Sequence, residues 1–196
     1  MTYLREAACS AELIDDKNRF SSKLDELLEI ISEIRSEHKI IIFTQFKRMA
    51  QIIIKALKKI YKGKTVLVSG ADDAKTKDKK INSLDKDKRI IVATDAIKYG
   101  SDIQAVNYVI NYDLPWNPSI LSQRIKRSYR MGQKKNVTVI NLIAKDTVDE
   151  YMMDILGKKV RLFDRIMRGD LDFKPLGGTK TMLNVINQNA KGLGML

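Results

Sequence analysis

Five short runs of branched and aromatic apolar residues constrain this chain more than anything else in it. They cover Lys39–Thr44 (KIIIFT), Thr65–Val68, Arg89–Ala93, Tyr108–Asn111 and Val137–Ile143. A continuous apolar run of this length suits a strand buried on both faces, which is the condition of strands in parallel sheets. Helical patterns separate the runs. Ser22 with Asp25 resembles a capping box, and Leu24, Leu27, Leu28, Ile31 and Ile34 form one stripe, which predicts a helix from Ser22 to about Ser36. A second helix is expected from Gln45 and Phe46 to about Tyr61, with Met49, Ile53, Leu57 and Ile60 inward and Gly63 ending it. A weaker, charged helix is expected over Lys75–Leu84. Thr147 and Glu150 form a capping box that opens a helix to about Arg168, closed by Gly169. Residues 2–14 also suit a short helix, with Leu4, Ala7, Ala8, Ala11 and Ile14 on one side. Strands alternating with helices imply right-handed crossovers and an α/β fold with a parallel sheet of about five to six strands.

Polar residues follow the carboxyl ends of these strands: Thr44-Gln45-Phe46, Ser69-Gly70, Thr94-Asp95 and Asp113. In open parallel sheets that edge is where ligands bind. The charge pattern points to a polyanion. The formal net charge is +12, and it is unevenly spread. Residues 1–38 hold nine acids and five bases, whereas Lys39–Ala71 holds eight bases and Leu114–Lys145 seven, with no acid in either tract. Acid-free basic tracts suit a phosphate backbone. Within the second tract Arg127 and Arg130 lie three apart, so on a helix they share a face beside Gln123. Two planar guanidiniums so placed can grip a polyphosphate.

Other classes are set aside. No apolar run reaches membrane-spanning length, and the N-terminus lacks a secretory core. Cys9 and His38, one of each, provide neither a disulfide framework nor a structural zinc site, and a reducing cytoplasm is the expected setting. His38 is expected to be exposed, Cys9 to be a small packing residue, and Met152, Met153 and Met167 to be core fill.

Taken in order, the blocks LREAACSAELI, IIFTQF, VSG, IIVATDAIKYGSDIQ, VINYDLPWNP, SQRIKRSYRMGQ and NLIAKDTVDEYM resemble the second RecA-like lobe of a superfamily-two helicase, in its SWI/SNF-like DNA translocase branch. The resemblance covers about Thr2 to Gly169. It implies a RecA-like sheet flanked by helices, with an N-terminal helix and a C-terminal helical extension. Residues 1–20 would be the end of a preceding region or a linker helix, 21–169 the lobe, and 170–196 the extension, with a short helix at Thr181–Asn189.

The resemblance also implies roles. Arg127 and Arg130 match arginine fingers that reach ATP held on the first lobe. Gln123 matches a glutamine near the γ-phosphate. Gly100 matches a glycine that lets the backbone approach the nucleotide, and Asp102 a polar contact to its ribose. Thr44, Gln45, Phe46, Ser69, Gly70, Thr94 and Trp116 fall in blocks that lie along the nucleic-acid backbone. ATP with Mg2+ is implied as cofactor, held mainly by the first lobe. Duplex DNA, ahead of RNA, and that first lobe are the implied partners, and no membrane is involved. Lys126 stands where the family usually has glycine, Ser128-Tyr129 where it has alanine- or isoleucine-histidine, and Asp102 where asparagine is common.

The ATP-binding half is not expected here. Gly63-Lys64-Thr65 looks like the end of a phosphate cradle, but Lys58 occupies the position of its first glycine, and the order is helix then strand. The chain is therefore expected to be a fragment without ATPase activity of its own. Two other readings stand beside this one: a non-catalytic nucleic-acid-binding module, and a lobe of an RNA helicase.

Overall fold

The structure, a computed structural model, describes residues 2–95, 106–126 and 137–167. Gly100, Asp102, Arg127, Arg130 and the segment 170–196, with its expected helix at 181–189, lie outside the described residues, as does the side chain of Met167. Five strands form one parallel sheet: β1 (Ile40–Thr44), β2 (Thr65–Val68), β3 (Ile90–Thr94), β4 (Tyr108–Asn111) and β5 (Thr138–Asn141), in the order β2-β3-β1-β4-β5. The helices are α1 (Thr2–Cys9), α2 (Ser22–Glu33), α3 (Lys47–Ile60), α4 (Ala74–Asn82), α5 (Pro118–Lys126) and α6 (Val148–Met167).

β1 and β3 are buried along their whole length, as their unbroken apolar sequence requires. Alternate residues serve opposite faces. Ile40, Ile42, Ile90, Val92 and Ile110 pack with Leu27 and Ile31 of α2 and with Met49, Ile53 and Leu57 of α3. Ile41, Phe43, Ile91, Ala93 and Val109 pack with Ile81 of α4 and Leu84. Fully burying each such side chain is worth about 1.5–3 kcal/mol, so the centre of the sheet is its most stable part. Leu114, Leu121 of α5 and Leu156 of α6 form a third, smaller cluster.

Several local expectations are corrected. The N-cap of α2 is Ser21, not Ser22: its hydroxyl oxygen accepts from the Leu24 N–H at 3.2 Å and its hydroxyl donates to the Cys9 carbonyl at 2.9 Å. The cap therefore also ties α1 to α2. The first helix stops at Cys9 because Ser10 caps a separate 3-10 turn, Ala11–Leu13. Ile60 is 57% exposed rather than inward. It sits three residues past Leu57 at the frayed end of α3, where Tyr61 already leaves helical geometry. Gly63 follows with φ +71°, a left-handed turn that glycine alone adopts without strain. His38 is half-buried and rests against Tyr108, with ring centroids 5.6 Å apart. Cys9 is buried, and burial pushes its thiol well above the ordinary range, as befits an inert packing residue. Met152 is buried and Met153 partly so. Among the described residues, no helix is long and apolar enough to cross a membrane.

Candidate functional site

The strand order places the site. From β1 the chain crosses through α3 to β2, on one side of the sheet; from β4 it crosses through α5 to β5, on the other. β1 and β4 are neighbours whose connections lead to opposite ends of the sheet, so their carboxyl ends form the topological switch point, the crevice of the fold. Such a switch point is the usual ligand site of an open parallel sheet.

The crevice is lined by polar groups that hold one another. Asp113, 2% exposed, follows β4 and accepts from the Thr44 hydroxyl, from the Gln45 N–H at 3.1 Å and from Gln45 Nε2 at 2.9 Å. A carboxylate bound this way fixes the turn out of β1 in one geometry. Arg124 of α5, 2% exposed, crosses the same region from the other side. Its Nε and Nη2 donate to the two carboxylate oxygens of Asp95 at 2.7 and 2.9 Å. Its Nη1 donates to Asn111 Oδ1 at 3.2 Å and to the Asp113 carbonyl at 2.8 Å. The guanidinium also lies over the Phe43 ring, 5.5 Å from its centroid. One buried fork thus joins the ends of β3 and β4 to α5. Asn111 passes the link on, donating to Asn141 Oδ1 of β5 at 2.8 Å.

A second guanidinium closes the outer rim. Arg5 of α1 donates to Gln45 Oε1 at 2.9 Å and to the Leu114 carbonyl at 2.5 Å. It lies over Phe46 and over Trp116, 5.7 and 5.6 Å from the ring centroids. The first helix, expected as a linker, is packed into the lobe here. Tyr112 strengthens that union: its phenol, raised above its ordinary range by burial, donates to the Cys9 carbonyl at 2.8 Å. Nearby, Lys23 of α2 makes a buried ion pair with Asp149 of α6 at 2.5 Å.

The predicted site residues divide by exposure. Gln45, Phe46 and Trp116 are half-buried and share the rim with Arg5, while Ser69 is half-buried and Gly70 exposed at the end of β2. Thr44 and Thr94 are buried and face each other across the β1–β3 register. Gln123 is exposed, next to the buried Arg124. Arg5, Asn111 and Arg124 were not assigned from the sequence. For Arg124 a signal was present. Leu121 and Ile125 mark the inward side of α5, and position 124 lies between them on that side.

A family model for the helicase conserved C-terminal domain matches residues 22–132, more than half of the chain. The chain is 35% identical over 162 residues to the uncharacterized ATP-dependent helicase YqhH of Bacillus subtilis, an alignment covering 82% of this chain and 28% of that protein. It thus spans little more than a quarter of that relative's length. Among solved structures it resembles the Sulfolobus solfataricus SWI2/SNF2 ATPase core in complex with dsDNA, at 31% identity and a TM-score of 0.71, covering 86% of this chain and 37% of that one. It also resembles the C-terminal domain of the Sulfolobus solfataricus SWI2/SNF2 ATPase, at 26% identity and a TM-score of 0.66, covering 84% of this chain and 69% of that one. The sheet, the family match and these neighbours agree, and the chain belongs to the helicase conserved C-terminal domain family, as a RecA-like lobe of the SWI/SNF-like branch.

Proposed function

We propose that this chain is the second motor lobe of an ATP-dependent DNA translocase, inactive as an ATPase until joined to a first lobe. The observation that carries this is the anchoring of α5. Arg124 pins that helix to the ends of β3 and β4, and three residues further on the sequence reaches Arg127. A group that must stabilise charge gains from a rigid element immediately before it in sequence.

The residues suit a nucleotide at this edge. Gln123 is exposed on the pinned helix, where its amide can donate to a phosphate oxygen. ATP with Mg2+, bound mainly by the first lobe, supplies the phosphoryl group whose transfer to water drives movement. In this reading Arg127 and Arg130 place their guanidiniums against that group; fingers of this kind are worth about 10³–10⁵ in rate. Gly100 lets the backbone approach the nucleotide, and Asp102 accepts from its ribose.

DNA follows the rim. Gln45, Phe46 and Trp116, with Ser69 and Gly70, contact the phosphate backbone, which gives grip without reading sequence. Thr44 and Thr94 are buried, so their part is to hold the strand ends from which these contacts project. The acid-free basic tracts and the likeness to an ATPase core solved with duplex DNA support DNA as the partner. A cytoplasmic setting belongs to the same proposal, in keeping with the free thiol of Cys9.

The test joins this chain to its first lobe and replaces Arg127 or Arg130 by alanine. DNA-stimulated ATP turnover should fall by about 10³ or more. Undiminished turnover refutes the finger assignment, and stronger stimulation by RNA than by duplex DNA refutes the assignment of the partner.

A further inference from the structure

The outward face of α3 has a feature that the nucleotide chemistry does not use. Lys47, Arg48, Lys55, Lys58 and Lys59 are all exposed, and the helix has no acid. At 3.6 residues per turn these five positions fall within about a third of the helix circumference. Arg48 pairs with Asp16 of the preceding loop. Among the described residues, Lys47, Lys55, Lys58 and Lys59 make no ion pair.

Lys55 stands three and four residues from Lys58 and Lys59, spacings at which like charges repel. The other long helices are charged differently. On α6, Lys158 pairs with Asp154 at 2.6 Å, and on α2 the exposed charges Asp25, Glu26, Glu29 and Glu33 are all acidic. A merely solvated face gains nothing from excluding acids, because mixed signs give solubility equally well.

The row is also continuous with the candidate interface. Lys47 directly follows Gln45 and Phe46 of the rim. From there α3 runs about 20 Å toward the opposite edge of the sheet and leads to the exposed Lys62 and Lys64. The Lys64 carbonyl accepts from the Arg89 N–H at 2.8 Å, which brings in the turn of exposed Lys86 before β3.

We propose that this track binds the phosphate backbone of duplex DNA beyond the crevice and lengthens the stretch of DNA that the lobe holds. The proposal rests on the DNA reading above. A duplex is favoured over a single strand because the exposed face of α3 has no aromatic residue on which unpaired bases could stack. Compact ammonium groups on flexible stems suit phosphates as point charges.

The experiment measures binding of the 196-residue chain to a labelled duplex at several salt concentrations. The triple variant Lys55→Glu, Lys58→Glu, Lys59→Glu is compared with its glutamine counterpart and with Gln45→Ala/Trp116→Ala. Each lost phosphate contact lowers the salt slope by about 0.9, so the glutamine triple should lower it by about 2–3. Affinity at low salt should fall at least tenfold, and further for the glutamates. The single change Lys55→Glu, which faces Lys59 one turn on, should leave the thermal midpoint unchanged or slightly raised, separating lost binding from lost folding. Wild-type affinity and slope in the triples, with binding weakened by the rim variant, overturn the track and leave the DNA reading standing. Failure of the unaltered chain to bind duplex at all overturns both. Tighter binding of an acidic polypeptide than of duplex, sensitive to the same lysines, overturns DNA as the occupant.

Discussion

Two strand ends on the same edge of the sheet are built in opposite ways. At the β1–β4 crevice, Asp113, Arg124, Asn111 and Thr44 are all buried, and each is bonded to residues distant in sequence. At the end of β2 the turn is local. The Ser69 N–H donates to Asp72 Oδ2 at 2.8 Å, Lys80 pairs with the same carboxylate at 2.6 Å, and Gly70 and Ala71 are exposed. The first end is held by the whole fold and the second by its own eight or so neighbours in sequence. In the proposed motor this gives the nucleotide contacts of α5 and the DNA contacts of the rim rigid placement, and leaves the DNA contact at the end of β2 adaptable.

The contrast predicts a ranking. Arg124→Ala should have the largest effect, about 3–5 kcal/mol, because it leaves Asp95 and Asp113 near one another without their counter-charge. Urea unfolding would show this as a large drop in midpoint, and Arg124→Lys should not restore it, since one ammonium cannot span the same acceptors. Arg5→Ala comes next, at about 2 kcal/mol, from lost charge-assisted bonds and ring contacts. Trp116 is the chain's single tryptophan, so its emission should shift with that change and report the rim directly. The β2 end should respond least. Asp72→Ala should cost about 1 kcal/mol, with faster exchange of the Ser69 amide and an unchanged Trp116 spectrum. An Asp72 effect as large as that of Arg124 would remove the distinction.

Acid sharpens the same comparison. Burial works to raise the Asp72 carboxyl, but Lys80 and the Ser69 N–H outweigh it and hold it below its ordinary 3.8. A depressed folded value means its contribution is full above that ordinary value and is lost as pH falls through the lower one. Asp73, bonded by the Thr76 N–H at the start of α4, is lowered likewise. The turn and the first turn of α4 should therefore loosen together below about pH 4, which proton-detected amide exchange would follow residue by residue.

The sheet could be read from the sequence because buried parallel strands leave an unbroken apolar signature, and all five runs became strands within a residue or two of their expected bounds, except that the fifth is shorter. The crevice residues could be placed in part, since polar residues after strand ends mark an edge. What could not be read was pairing across distance. Arg5 and Gln45 are 40 positions apart, and Lys23 and Asp149 are 126 apart. Arg124 looked like one more member of a basic segment until burial set it apart. Ile60 was misplaced because periodicity alone does not show where a helix frays, and Ser21 because two adjacent serines present the same cap chemistry.

The charges on α2 and α3 have a consequence for how the lobe meets its partner. Both helices cover the same face of the sheet, one with Asp25, Glu26, Glu29 and Glu33 outward, the other with its row of lysines. A body so divided has an electric dipole as well as a net charge. In the field of a polyanion it is turned as well as drawn in, and fewer of its collisions present the wrong side.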